Sequence, residues 1–206
     1  MKSTLYYILD PMCSWCWGFR SVFTALLELL SDQIEIEYVM GGLAPDSDQV
    51  MPEETRSYVQ KQWQLVTEKT GAEFNWDFWT ECTPRRSTYP ACRAVISAGI
   101  QGKENIPKMI DAIQQAYYLE ARNPSDLCTL KALAEELNLD SKKFELDITS
   151  PKIEILLQKD FETRKLFRVN SFPTVLLKQE EKLSFIAQGD ESLDNILNRL
   201  QAQSLL

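Results

Sequence analysis

Leu5-Tyr6-Tyr7-Ile8-Leu9-Asp10-Pro11-Met12-Cys13-Ser14-Trp15-Cys16-Trp17-Gly18-Phe19 is the stretch whose reading decides the fold. Its first five residues are a continuous apolar run stopped by Asp10-Pro11, the pattern of a short strand buried on both faces. Beyond the stop, Cys16, Phe19, Phe23, Leu26, Leu27 and Leu30 recur at intervals of three and four, which predicts a helix that Ser31-Asp32 ends. Ile34-Glu35-Ile36-Glu37-Tyr38-Val39-Met40 then alternates and Gly41-Gly42 closes it, so a second strand is expected. Strand, helix, strand is a βαβ unit, with parallel strands and a right-handed crossover.

Cys13-Ser14-Trp15-Cys16 lies at the first strand-to-helix junction. Two cysteines three apart at a helix start share one face and can close a disulfide with little strain. The first faces unpaired N–H groups at the positive helix end, which favour a thiolate. Cys13 is therefore expected to be the exposed nucleophile and Cys16, on the apolar stripe, the shielded resolving thiol. A chance pair and a zinc knuckle are the competing readings. The knuckle needs four ligands, and Cys82, Cys92 and Cys128 contain no second close pair.

Composition narrows the chemistry. The chain has 206 residues, 22 Lys plus Arg, 30 Asp plus Glu and a net charge of −8, which disfavours nucleic acid and anionic membrane as partners. It contains no histidine, so Ser-His-Asp and Cys-His catalysis and His-ligated zinc are excluded. Leu5 to Leu9 is too short for a signal-peptide core, and no run approaches the ~20 apolar residues of a membrane span. A cytoplasmic protein with mostly reduced thiols is expected from five cysteines, an odd set.

From Pro52 to about Leu166 the pattern is helical. Pro52-Glu53-Glu54 starts a helix with Val59, Trp63 and Val66 on one face, and Gly71 ends it. The aromatics Phe74, Trp76, Phe78 and Trp79 follow, and then helical spacing over 89–100, 106–119, 127–139 and 153–169. Strand patterns return at 173–177 and 183–187 with a turn over 178–182. A last helix starts at Gly189-Asp190-Glu191-Ser192, with Leu193, Ile196, Leu197 and Leu200 inward. The expectation is a single α/β domain over 1–206, its sheet built from 1–45 and 165–206 and a helical insertion at 50–165.

That element order resembles a thioredoxin fold, and Asn170-Ser171-Phe172-Pro173-Thr174 stands where such a fold carries a cis-proline facing the CxxC. Pro173 at the start of a strand is also allowed on steric grounds alone. Together with Asp10-Pro11-Met12-Cys13-Ser14-Trp15-Cys16-Trp17-Gly18-Phe19 and Tyr89-Pro90-Ala91-Cys92-Arg93-Ala94, the segment is similar to the DsbA family of thioredoxin-fold proteins, in its cytosolic, FrnE-like, protein-disulfide-isomerase-like branch. The resemblance implies a DsbA-like fold, with the insertion between an N-terminal βαβ half and a C-terminal ββα half. It also implies thiol–disulfide exchange by Cys13, Cys16 and Pro173, with the backbone of Phe172 pairing with an extended substrate.

Ser14, Trp15 and Trp17 are further candidate substrate contacts, although such aromatics are more often core. No organic cofactor or metal is implied. Glutathione or a thioredoxin-like thiol enters as the redox partner, and disulfide-containing proteins or peptides as substrates.

DsbA proteins of the periplasm carry a histidine between their cysteines. Here Ser14-Trp15 stands in that place, and the nearby Asp10 would raise the thiol pKa, so a less oxidising reductase or isomerase is expected. A turn role before Pro11 is the simpler reading of Asp10. Glutathione transferases and isomerases on the same scaffold, and adaptors that deliver partners for degradation, are the alternatives. Cys82, Cys92 and Cys128 read as buried small hydrophobes or incidental thiols. Arg85-Arg86 reads as a solvated charge pair or as a holder of a substrate carboxylate.

Overall fold

A computed structural model describes residues 3–30 and 34–203, so the helix stop at Ser31-Asp32 lies outside the described residues. The chain opens with β1 (Ser3–Leu9), α1 (Ser14–Leu29) and β2 (Ile34–Met40). It continues through α2 (Glu53–Thr70), α3 (Phe78–Glu81), α4 (Tyr89–Gln101), α5 (Asn105–Tyr118), α6 (Leu127–Glu136), α7 (Ser141–Ile148) and α8 (Pro151–Leu166). It closes with β3 (Thr174–Gln179), β4 (Lys182–Gln188) and α9 (Leu193–Gln201).

The strands form one sheet in the order β2-β1-β3-β4. β1 runs parallel to β2, and β3 lies antiparallel to both β1 and β4. β1 is thus paired on both sides, and its apolar run follows from this: Leu5, Ile8 and Leu9 are fully buried. β2 lies at the edge, where Glu35 and Glu37 remain half-buried, hence its alternation. The pairing of Ile8 with Thr174 brings the end of β1 beside the start of β3, although the two are far apart in sequence.

The helices between β2 and β3 carry an aromatic core. Trp63, fully buried on α2, packs against Phe74 at 4.8 Å, Trp79 at 4.9 Å and Tyr118 at 5.5 Å between ring centroids. A buried ring of this size removes about 200 Å² from water, worth on the order of 5 kcal/mol as an upper figure. α2 follows its expected pattern closely, burying Val59, Trp63 and Val66 and ending at Gly71 with φ 72°, a conformation that glycine adopts without steric cost.

Elsewhere the structure corrects the reading. The hairpin turn is two residues, Glu180-Glu181, rather than 178–182, because Glu180 takes a left-handed φ of 54° and both strands run further. α7 was not anticipated: it buries only Phe144 and Ile148, too short a stripe to show periodicity, although Asp140 caps it by accepting from Lys143 N–H at 2.9 Å. α8 starts at Pro151 and stops at Leu166, short of Val169, where Arg168 turns left-handed with φ 56°. Among the described residues no helix is long and apolar enough to cross a membrane.

Candidate active site

The site begins where β1 runs out. Asp10 O accepts the Cys13 N–H at 3.0 Å, and Asp10 Oδ1 accepts the Met12 N–H at 2.8 Å, turning the chain into α1. Cys13 is the N-cap residue, with an extended backbone (φ −86°, ψ 117°) and no side chain capping the helix. The free N–H groups of the first turn are therefore left to the Cys13 sulfur.

Both cysteines are free thiols. Cys16 Sγ–H donates to Cys13 Sγ, and this bond holds the Cys13 thiol below the ordinary range. Burial and the Asp10 charge push it up, while the Cys16 and Trp15 amides draw it down. For Cys16 burial acts first, the same bond to Cys13 adds to it, and its thiol stands well above the ordinary range. The two thiols are thus drawn in opposite directions, Cys13 toward the thiolate and Cys16 toward the protonated form. Exposure is lower than expected: Cys13 is 7% exposed, so it is screened rather than open, and Cys16 is 0%.

The Phe172-Pro173 peptide bond is cis. Phe172 O lies 3.7 Å from Cys13 Sγ, 159 residues away in sequence. The Phe172 ring sits flat on Gly41, where a Cβ would stand 2.4 Å from the ring, so the close approach requires glycine. Trp15 is half-buried, with Nε1 donating to Gln62 Oε1 at 3.0 Å. Ser14 is 8% exposed at the first position of α1. Trp17 belongs to the wall: it is 8% exposed, donates Nε1 to Glu73 O at 3.0 Å and stacks on Tyr118.

Asp10 is more than a turn residue. It is fully buried, and its Oδ2 accepts from Leu43 N at 2.6 Å, Thr88 Oγ1 at 2.6 Å and Cys92 Sγ at 3.7 Å. Burial raises its pKa, opposed by the bonds from Thr88, Leu43 and Met12 and by the charge of Arg86. Thr88 was missed by the sequence reading, because nothing local marks a residue whose partner lies 78 positions away.

Cys92 is buried as expected, its thiol pushed well up by burial and then by Asp10. Cys82 is half-buried and Cys128 exposed, so of the two readings, buried small hydrophobe or incidental thiol, burial holds for Cys92 alone. Cys82 Sγ–H donates to Ala121 O at 3.0 Å, and Cys128 begins the outer side of α6. Arg85 is tied to Asp126 and to Ser125 O at 2.8 Å, so it is no free carboxylate holder.

Comparison with known proteins gives this arrangement a family. The family described as Thioredoxin matches residues 6–195, and the chain belongs to it. A crystal structure of a candidate protein disulfide isomerase from Nitrosomonas europaea superposes with a TM-score of 0.87 at 26% identity, covering 98% of this chain and 99% of that one. The cytosolic disulfide reductase DsbM from Pseudomonas aeruginosa, also solved with GSH, superposes at 0.79 and 22% identity over 98% and 100% of the two chains. The oxidoreductase DsbA from Xylella fastidiosa gives 0.66 at 13% identity over 98% and 86%. The fold is the DsbA-like form of the thioredoxin fold, with helices inserted between the βαβ and ββα halves.

Two curated relatives are ClpXP adapter proteins SpxH. That of Halalkalibacterium halodurans is 24% identical over 82% of this chain, and that of Bacillus subtilis 23% over 92%. The chain spans 56% and 64% of their respective lengths.

Proposed function

We propose that the protein is a thiol–disulfide oxidoreductase working in the cytoplasm as a reductase or isomerase. The observation that carries this reading is the Cys13–Cys16 pair, polarised in opposite directions and facing the Phe172 carbonyl beside cis-Pro173. Cys13 thiolate attacks a substrate disulfide, forming one S–S bond and releasing the other substrate sulfur as a thiolate, which takes a proton. Cys16 then loses its proton and attacks Cys13, leaving a Cys13–Cys16 disulfide and the reduced substrate. The proton that Cys16 gives up ends on the substrate thiolate that its attack releases.

Phe172 offers its carbonyl edge to an extended substrate, with Trp15 and Ser14 at the same mouth and Trp17 bracing them from behind. A cellular thiol such as glutathione resets the pair, a role in keeping with the DsbM likeness. Trapping tests the reading: the Cys16→Ser variant, incubated with a disulfide peptide, should accumulate a mixed disulfide at Cys13 by mass. Free substrate with no adduct would contradict it. The SpxH likeness favours a second reading, an adaptor that keeps the dithiol, for which partner binding would survive the double Cys13→Ser, Cys16→Ser change.

A further inference from the structure

Arg164 on α8 has no acidic partner among the described residues. Its Nη1 donates to Gly41 O at 2.5 Å, its Nε is buried without an acceptor, and its guanidinium stands over the rings of Phe161 at 5.9 Å and Phe172 at 5.7 Å. Nη2, also without an acceptor among the described residues, keeps its contact with solvent. Asp160, one turn back, accepts the Met40 N–H at 2.9 Å, and Glu154 and Asp46 both pair with Arg93.

A half-buried guanidinium with no counter-ion is a costly arrangement that a bound anion would relieve. Its place is informative: Phe172, which it covers, is the residue whose carbonyl meets Cys13. Arg86, also half-buried, is by contrast answered by Asp10, whose carboxyl its charge holds down. In a chain of net charge −8, an arginine without a counter-ion at the Phe172 loop is a local reversal of sign.

We propose that Arg164 anchors a carboxylate of the substrate, so that the site selects disulfides carrying negative charge close to the sulfur. The inference rests on the oxidoreductase reading and deepens it. Arg164 is fixed by Gly41 O and by the two rings, which leaves Nη2 pre-organised to meet a carboxylate at the edge of the Phe172 loop.

Three small disulfides of nearly equal length test it: dicationic cystamine, neutral bis(2-hydroxyethyl) disulfide and dianionic 3,3′-dithiodipropionate. Each rate with the reduced protein is divided by the rate of the same compound with free dithiothreitol. The dianion should then lead the neutral compound by about tenfold, and Arg164→Gln should bring that ratio to within about twofold of unity. Arg164→Lys should restore part of the preference.

Repulsion by the overall negative charge alone would put the dianion last, and that order would overturn the proposal. So would an Arg164→Gln protein in which all three rates fall by one common factor, the mark of a purely structural role. If the wild-type protein reacts with none of the three above background, the oxidoreductase reading itself fails and this proposal falls with it.

Discussion

The parts of the molecule on either side of the dithiol are built differently. The sheet and its two helices, α1 and α9, come from the ends of the chain, and there Leu5, Ile8, Leu9, Leu26, Val175, Leu177 and Ile186, all fully buried, pack with a smaller group of rings, Tyr7, Phe19, Phe23 and Tyr38. The helices between β2 and β3 are held by aromatic rings around Trp63. The first part presents the reactive groups, Cys13, Cys16 and the Phe172-Pro173 loop. The second surrounds them, sending Thr88 and Cys92 to Asp10 and Tyr118 under Trp17. Reactivity and support are therefore separable in principle, and Asp10 is where they meet.

Substitutions can break that division or sharpen it. The largest effect is expected at Cys13: Cys13→Ser should reduce disulfide exchange to the uncatalysed background while leaving the melting temperature nearly unchanged. Exchange that persists at the wild-type rate would end the account of this part as the reactive one. Trp63→Ala should do the reverse. It opens a cavity in the aromatic core and should cost about 3–5 kcal/mol in urea denaturation, with little change in the Cys13 alkylation profile. A profile that moves as much as the stability would show that the two parts are not separable.

Thr88→Val works at the junction and should act more gently. Removing the hydroxyl takes away a bond that lowers the Asp10 pKa, so the carboxyl moves further up and holds its proton to a higher pH. Neutral Asp10 no longer opposes the Cys13 thiolate, and the alkylation rate of Cys13 should reach half its maximum at a lower pH than in the wild type. The lost hydroxyl should also cost on the order of 1–2 kcal/mol of stability.

The smallest effect is expected at Asp160. Burial pushes its carboxyl up to about 7, although it accepts the Met40 N–H. The folded state therefore keeps this proton longer than the unfolded chain, so its contribution is greatest below the usual carboxylate range and is lost as pH rises to about 7. Asp160→Asn, whose amide oxygen can still accept from Met40, should flatten that part of the stability–pH curve.

How much of this could be read from residues alone depends on distance along the chain. β2 is legible to the residue because the alternation of Ile34 to Met40 and the Gly41-Gly42 stop are local signals. The Cys13–Cys16 pair is legible from its spacing, and Pro173 from its place before a strand. The surroundings of Asp10 are not: Leu43, Thr88 and Cys92 reach it from 33, 78 and 82 residues away, and nothing in their own neighbourhoods announces the meeting. Gly41 reads as a strand stop and turns out also to be the seat of the Phe172 ring, a role that only the packing reveals. Arg164 reads as one more charge near a helix end, and its lack of a partner shows only in three dimensions.

The central claim is that Cys13 and Cys16 form a reversible two-electron couple, and redox titration tests it most directly. The protein is equilibrated in glutathione buffers of stepped potential, quenched by alkylation and weighed. The account predicts a reversible exchange between a form alkylated at both cysteines and a form alkylated at neither, with a potential less oxidising than that of periplasmic DsbA proteins. Continued alkylation of both cysteines in the most oxidising buffer, with no disulfide between them, would contradict it.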